Sequence, residues 1–149
     1  MAELRKLPLL SLAEVQASSE AEAHPILLAF DEGHGPGATY WKAKDAGEQT
    51  ITVTFREPCR LAQVTMEVEE REVARTQEVQ LAVSTDGGLT YRELIRQEFN
   101  FSPDGATWEK ETWNVPENPV THVKLVIKPD KGRTDCYATL TSLGLWQRV

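Results

Sequence analysis

Cysteine is nearly absent from this sequence: Cys59 and Cys136 stand far apart and belong to no CxxC or Cys-His pair. Thiolate ligation of a metal is therefore not expected. Two buried thiols in a reducing compartment are the expected state, with a disulfide between them as the alternative. Long apolar runs are missing too. The first, Leu7 to Ala13 after Arg5 and Lys6, stops at Glu14. It is too short for a membrane span and lacks the small-residue cleavage site of a signal peptide. It reads as a first strand, and the chain as cytoplasmic with no membrane partner. Positive charge is in deficit, with a formal net charge of −7. The nearest basic cluster, Lys124, Lys128, Lys131 and Arg133, is diluted by Asp130 and Asp135. Such a field opposes a phosphate backbone, so nucleic acid is not an expected partner. The three histidines, His24, His34 and His122, are scattered and sit in no metal or nucleophile motif. No activated nucleophile or base can be named, which argues against an enzyme.

What the sequence has in quantity is alternation. Ile51, Val53 and Phe55 alternate with threonines, the period of a half-buried strand. The same period recurs at Val64, Met66 and Val68, at Val79, Leu81 and Val83, and at Val123, Leu125 and Ile127. Their polar partners, Thr65, Glu67, Gln80 and Lys124, are expected to face solvent, as is His122. Residues 91–101 and 107–115 also read as strands, and residues 137–146 as a closing strand. Turn residues separate the runs at Glu57-Pro58, Asp86-Gly87-Gly88, Pro103-Asp104-Gly105 and Pro116 to Pro119, where hairpins or crossings need them. Only residues 20–29 look helical, and Pro25 limits them to a turn or two. A length of 149 residues suits one domain, taken as 1–149. The expectation is an all-β, single-domain antiparallel jelly-roll β-sandwich of about eight strands with at most a short helical turn.

Several segments, in order, carry a resemblance. They are ASSE at residues 17–20, Phe30-Asp31-Glu32-Gly33 followed by Thr39-Tyr40-Trp41, Gln49 to Phe55, VSTDGGLTY at residues 83–91, and the late VKLVI and YATLTSLGLW. Together they resemble the discoidin family, also called coagulation factor 5/8 type C or galactose-binding-like domains, and within it the family 32 carbohydrate-binding modules. The resemblance implies the jelly-roll sandwich that the strand pattern reaches independently. It also implies a structural calcium site in the loop around Asp31, with a carboxylate from Asp31, a hydroxyl from Thr39 and carbonyls near Gly33. Ser142 stands where the family places a late glutamate, which removes one charged ligand. The tryptophan of the signature, Trp41, is expected to anchor the loop in the core. Asp86-Gly87-Gly88 is read as a structural hairpin turn whose Asp side chain caps backbone amides.

Binding residues gather on loops. The segment 100–108 offers Phe101 and Trp108 around a turn with Asn100 and Asp104, and the segment 131–135 adds Arg133 and Asp135. Sugars are recognised by aromatic faces together with amides, carboxylates or guanidinium groups. Phe101 and Trp108 either face a sugar or close the hairpin over the core. The acidic run Glu67, Glu69, Glu70 and Glu72 beside Arg71 and Arg75 reads as a solvated strand end. Two readings follow. One is a non-catalytic module with a glycan partner, binding weakly through loops at one end. The other is an intracellular module with a protein partner, since Trp41 to Val53 is similar to the N-terminal sandwich of the single-strand-break repair scaffold.

Overall fold

The computed structural model describes residues 3–31 and 33–149. Its strands are β1 (Leu4–Lys6), β2 (Ala13–Ala17), β3 (Trp41–Lys42), β4 (Gln49–Cys59), β5 (Gln63–Glu69), β6 (Arg75–Ser84), β7 (Arg92–Phe101), β8 (Trp108–Asn114), β9 (Val120–Lys128), β10 (Thr139–Leu140) and β11 (Ser142–Arg148). Eight of them have five or more residues, and those eight carry the sandwich. One sheet runs β1-β11-β5-β8, the other β2-β4-β9-β6-β7, and β10 pairs with β3 as a small third ribbon. All pairings are antiparallel.

The alternation explains the layering. Ile51, Leu125 and Leu81 lie in register across β4, β9 and β6, so one row of apolar side chains faces inward from three strands. Val64, Met66 and Val68 of β5 and Leu143 and Leu145 of β11 answer from the opposite sheet, and all are essentially shut off from water. Two faces interdigitating in this way form the core of a sandwich.

In secondary structure, sequence and structure part in three places. The apolar run expected as a first strand is split: Leu9–Leu12 form a single helical turn between β1 and β2. Pro8 precedes that turn with φ −75°; it has no amide to offer a sheet, and its carbonyl accepts the Ser11 hydroxyl at 2.7 Å. The expected helix over 20–29 shrinks to a 3-10 turn at Ile26–Ala29. Pro25 stays extended, with ψ 160°, and Glu20 Oε2 accepts the Ile26 amide at 2.7 Å. The closing strand starts at Thr139, so Tyr137 and Ala138 lie in the loop before it. Both cysteines are free, Cys136 buried and Cys59 half-buried.

Candidate functional site

The strand register decides where the loops go. Arg75 at the start of β6 pairs with Phe101 at the end of β7, Glu69 at the end of β5 with Trp108 at the start of β8, and Gln49 at the start of β4 with Ile127 near the end of β9. Residues 18–48, 70–74, 102–107 and 129–138 therefore all emerge at one end of the sandwich. Trp41 fixes the longest of these segments. Its side chain is fully buried, and its indole N–H donates to the Ser19 carbonyl at 3.0 Å.

Between these loops lies a cleft of about 280 Å³, lined by Tyr40, Lys42 and Tyr137 together with residues 69–73, Arg133 and Asp135. Tyr137 is 44% exposed. The Lys42 ammonium sits 5.5 Å from its ring centroid, a cation on the electron-rich face. Tyr40 stacks on His24 with centroids 4.3 Å apart, and His24 Nδ1 lies 3.1 Å from the Tyr40 carbonyl. A carbonyl only accepts, so Nδ1 carries the proton and, in the neutral ring, Nε2 is left as an acceptor. A second depression, lined by Glu20, Glu22, His24 and Lys44, shares Lys42 and Tyr137 with the first.

The loop at 129–138 is stiffened by Asp130, whose carboxylate takes the amides of Thr76, Gly132 and Arg133 at 2.8, 3.0 and 2.7 Å. Those amides, Thr76 first and then Arg133, hold the Asp130 carboxyl below its usual range. Arg133 in turn grips Asp135 through Nε and Nη2, both at 3.0 Å, a bidentate pair. Beneath the cleft Arg75, with a side chain 1% exposed, binds Glu70 at 2.7 Å. Its Nη1 donates to Gln77 Oε1 and to the Pro129 carbonyl at 2.8 and 2.9 Å, and its guanidinium lies 5.1 Å from the Phe101 centroid. Arg75 Nη2, Gln77 Nε2 and Thr139 Oγ1 are buried without a partner among the described residues.

The glycine-rich loop ahead of Trp41 shows a different chemistry. Asp31 accepts the Gly33 amide at 2.8 Å and the Thr39 hydroxyl at 2.6 Å. Glu67 accepts the Gly35 amide at 2.7 Å and Glu69 the Gly37 amide at 3.1 Å. Glu67, expected to face solvent, is thus buried, because this loop folds over its side of β5. Asp31 thus accepts an amide and a hydroxyl, and Glu67 and Glu69 each accept an amide of the loop. Among the described residues no three His, Cys, Asp or Glu side chains cluster closely enough to hold a metal. Glu32, part of the signature, lies outside the described residues.

The other sequence-derived candidates separate. Arg133 and Asp135 line the cleft. Phe101 does not offer its face to a ligand: it is 3% exposed, in the core under Arg75. Asn100 accepts the Thr76 hydroxyl at 2.7 Å on the outer face of β7, Trp108 is half-buried at the start of β8, and Asp104 is exposed in the turn between them. His122, expected to face water, is half-buried, with Tyr91 6.4 Å away edge-on. Tyr137, Tyr40 and Lys42 went unrecognised in the sequence. The one available signal was Tyr137 directly after the turn residues 130–136.

Aromatic and charged side chains thus gather in end loops carried by a packed sandwich, the place where functional residues collect. The chain belongs to the F5/8 type C domain family, which matches it over residues 14–140. No curated protein is similar enough in sequence to count as a match. Solved structures agree on the fold. The family 32 module of Clostridium perfringens NanJ, in complex with galactose, superposes with TM-score 0.65 at 14% identity, covering 97% of this chain and 100% of that one. CpGH89CBM32-5 from Clostridium perfringens, in complex with GalNAc-β-1,3-galactose, gives 0.63 at 23% identity over 95% and 99%. The family 32 module of AlyQ, in complex with 4,5-unsaturated mannuronic acid, gives 0.60 at 17% identity over 90% and 94%. The fold is the jelly-roll sandwich expected from the alternation.

Proposed function

We propose that this protein is a non-catalytic glycan-binding module whose ligand rests in the cleft beside Tyr137. The observation that carries this reading is the ring of Tyr137, 44% exposed in a loop with Lys42, Arg133 and Asp135 around it. An apolar sugar face stacks on such a ring, while guanidinium, ammonium and carboxylate groups bond hydroxyls. A cleft of about 280 Å³ is at the small end for ligand sites and suits one sugar ring. A contact of this size gives weak affinity. The loop over residues 33–39 is read as closed by its own hydrogen bonds to Asp31, Glu67 and Glu69, with no need for calcium. Thermal unfolding in calcium and in EDTA should then coincide.

The test is a glycan array on the purified protein and on Tyr137→Ala. Binding by the first, weakened at least tenfold in the second while its unfolding temperature holds, supports the reading. Silence of a folded sample on the array counts against it. A protein-partner reading draws on a different feature, a groove of about 690 Å³ lined by Leu7, Leu12, Phe55 and Pro58, of which Leu12 is exposed. That groove adjoins the chain ends, away from Tyr137.

A further inference from the structure

We propose that the cleft selects a glycan bearing a carboxylate, an acidic sugar of the uronic or sialic type. The inference rests on the glycan reading above and deepens it. Four cations and four carboxylates line the cleft, so its total charge does not decide the matter; the pairing does. Arg71 binds Glu69 at 2.9 Å, Arg75 binds Glu70 at 2.7 Å, and Arg133 binds Asp135 at 3.0 Å. The remaining carboxylate, Glu72, is exposed and is solvated at no cost. The remaining cation, Lys42, is half-buried, in no salt bridge among the described residues, with its ammonium 5.5 Å from the Tyr137 ring centroid.

A second, independent observation points the same way. Among the described residues Arg75 Nη2, in a side chain 1% exposed, has no hydrogen-bond partner, and neither has Thr139 Oγ1. Arg75 and Thr139 line the cleft. Thr139 lies directly opposite Lys42 in the β10–β3 pairing, so the two side chains share one face. A guanidinium nitrogen can only donate, and a threonine hydroxyl has an O–H to donate. Whatever completes this floor must supply acceptor lone pairs beside a cation, and a buried donor left unpaired is costly. A carboxylate supplies about four lone-pair sites and bonds charged donors roughly twice as strongly as a neutral acceptor does. It reaches the floor by displacing Lys42 from the Tyr137 ring, drawing the ammonium onto itself. The net charge of −7 does not oppose this at contact range, because charges beyond about 8 Å are largely screened at physiological salt.

The experiment is a titration of the full chain, by calorimetry or ligand-observed NMR, with matched pairs: trigalacturonic acid against galactotriose, and sialyllactose against lactose. The expected result is at least tenfold tighter binding of an acidic member. Lys42→Met and Thr139→Val should each erase most of that difference while leaving the unfolding temperature unchanged. Equal or tighter binding of the neutral members overturns the acidic class and leaves the glycan reading standing. An acidic preference that survives both variants overturns its assignment to this floor. Failure of all four ligands to bind a folded sample removes the glycan reading and this inference together.

Discussion

Two aromatic residues at the same end of the sandwich show how differently one side-chain type is used. Trp41 pairs with Leu140 across the β10–β3 ribbon and is fully buried; Tyr137, two residues before that ribbon, is 44% exposed. Trp41→Ala should lower unfolding free energy by about 3–5 kcal/mol, the usual cost of emptying a core site. Tyr137→Ala should change it by within about 0.5 kcal/mol, as for exposed positions generally. Urea denaturation of both variants measures the contrast, and similar losses would place Tyr137 in the core after all. The core role of Trp41 was legible in the sequence, since an aromatic directly after a long turn anchors it. The exposure of Tyr137 was not, because YATLTSLGLW reads as one alternating strand and nothing in the alternation marks where pairing begins. Asp86 gives the clearest titration at this scale. Its carboxyl is held down to about 2 from an ordinary 3.8 by the Thr90 hydroxyl first, then the Thr90 amide and the Ser84 hydroxyl. A depressed folded pKa means that the ionised turn is favoured. Its contribution is present above the unfolded value and is lost as pH falls from about 4 toward 2. Following the Asp86 carboxyl carbon by NMR should give a midpoint near 2; a midpoint at the ordinary value would show that these bonds do not persist in solution.

At the scale of elements, the glycine-rich loop depends on the strand beneath it. Gly35 and Gly37 have φ of 86° and 85°, a region where other residues are strained, and their amides point at Glu67 and Glu69 of β5. The alternation of β5 correctly put Val64, Met66 and Val68 inside. It left Glu67 to solvent because a period of two distinguishes the faces of a strand and says nothing of what covers the outer one. Here residues 33–37 cover it. Glu67→Ala removes the acceptor of the Gly35 amide, which should then exchange with deuterium at least tenfold faster, while core amides such as Leu125 stay protected. Unchanged exchange at Gly35 would mean that the loop is held by something other than this carboxylate. The resemblance that implied a calcium loop was correct about the family and silent about this arrangement, since one sequence motif does not say which way a carboxylate turns.

The whole molecule is polarised along its strands. The apolar periods of β4, β5, β6 and β9 made the sandwich readable, because burying one face of each strand leaves few alternatives. The cleft was not readable as a unit. Its residues come from segments around 40, 70 and 135, brought together only by the register that sends 18–48, 70–74 and 129–138 to one end. Arg133 and Asp135 could be picked out because a charged pair in a turn-rich loop is conspicuous, whereas Arg71 and Arg75 were absorbed into what reads as a solvated acidic run. That geometry yields a prediction in which the two functional readings differ by location. In amide shift mapping, a bound sugar should perturb residues 40–42, 69–75 and 131–139 and leave Leu12, Phe55 and Cys59 unchanged. The groove near the chain ends, built by Leu7, Phe55 and Pro58, would respond instead to a protein partner. The packed core of the two sheets separates the two ends. Shifts confined to Leu12, Phe55 and Cys59 would therefore move the binding surface to the opposite end of the sandwich and with it the kind of partner the protein serves.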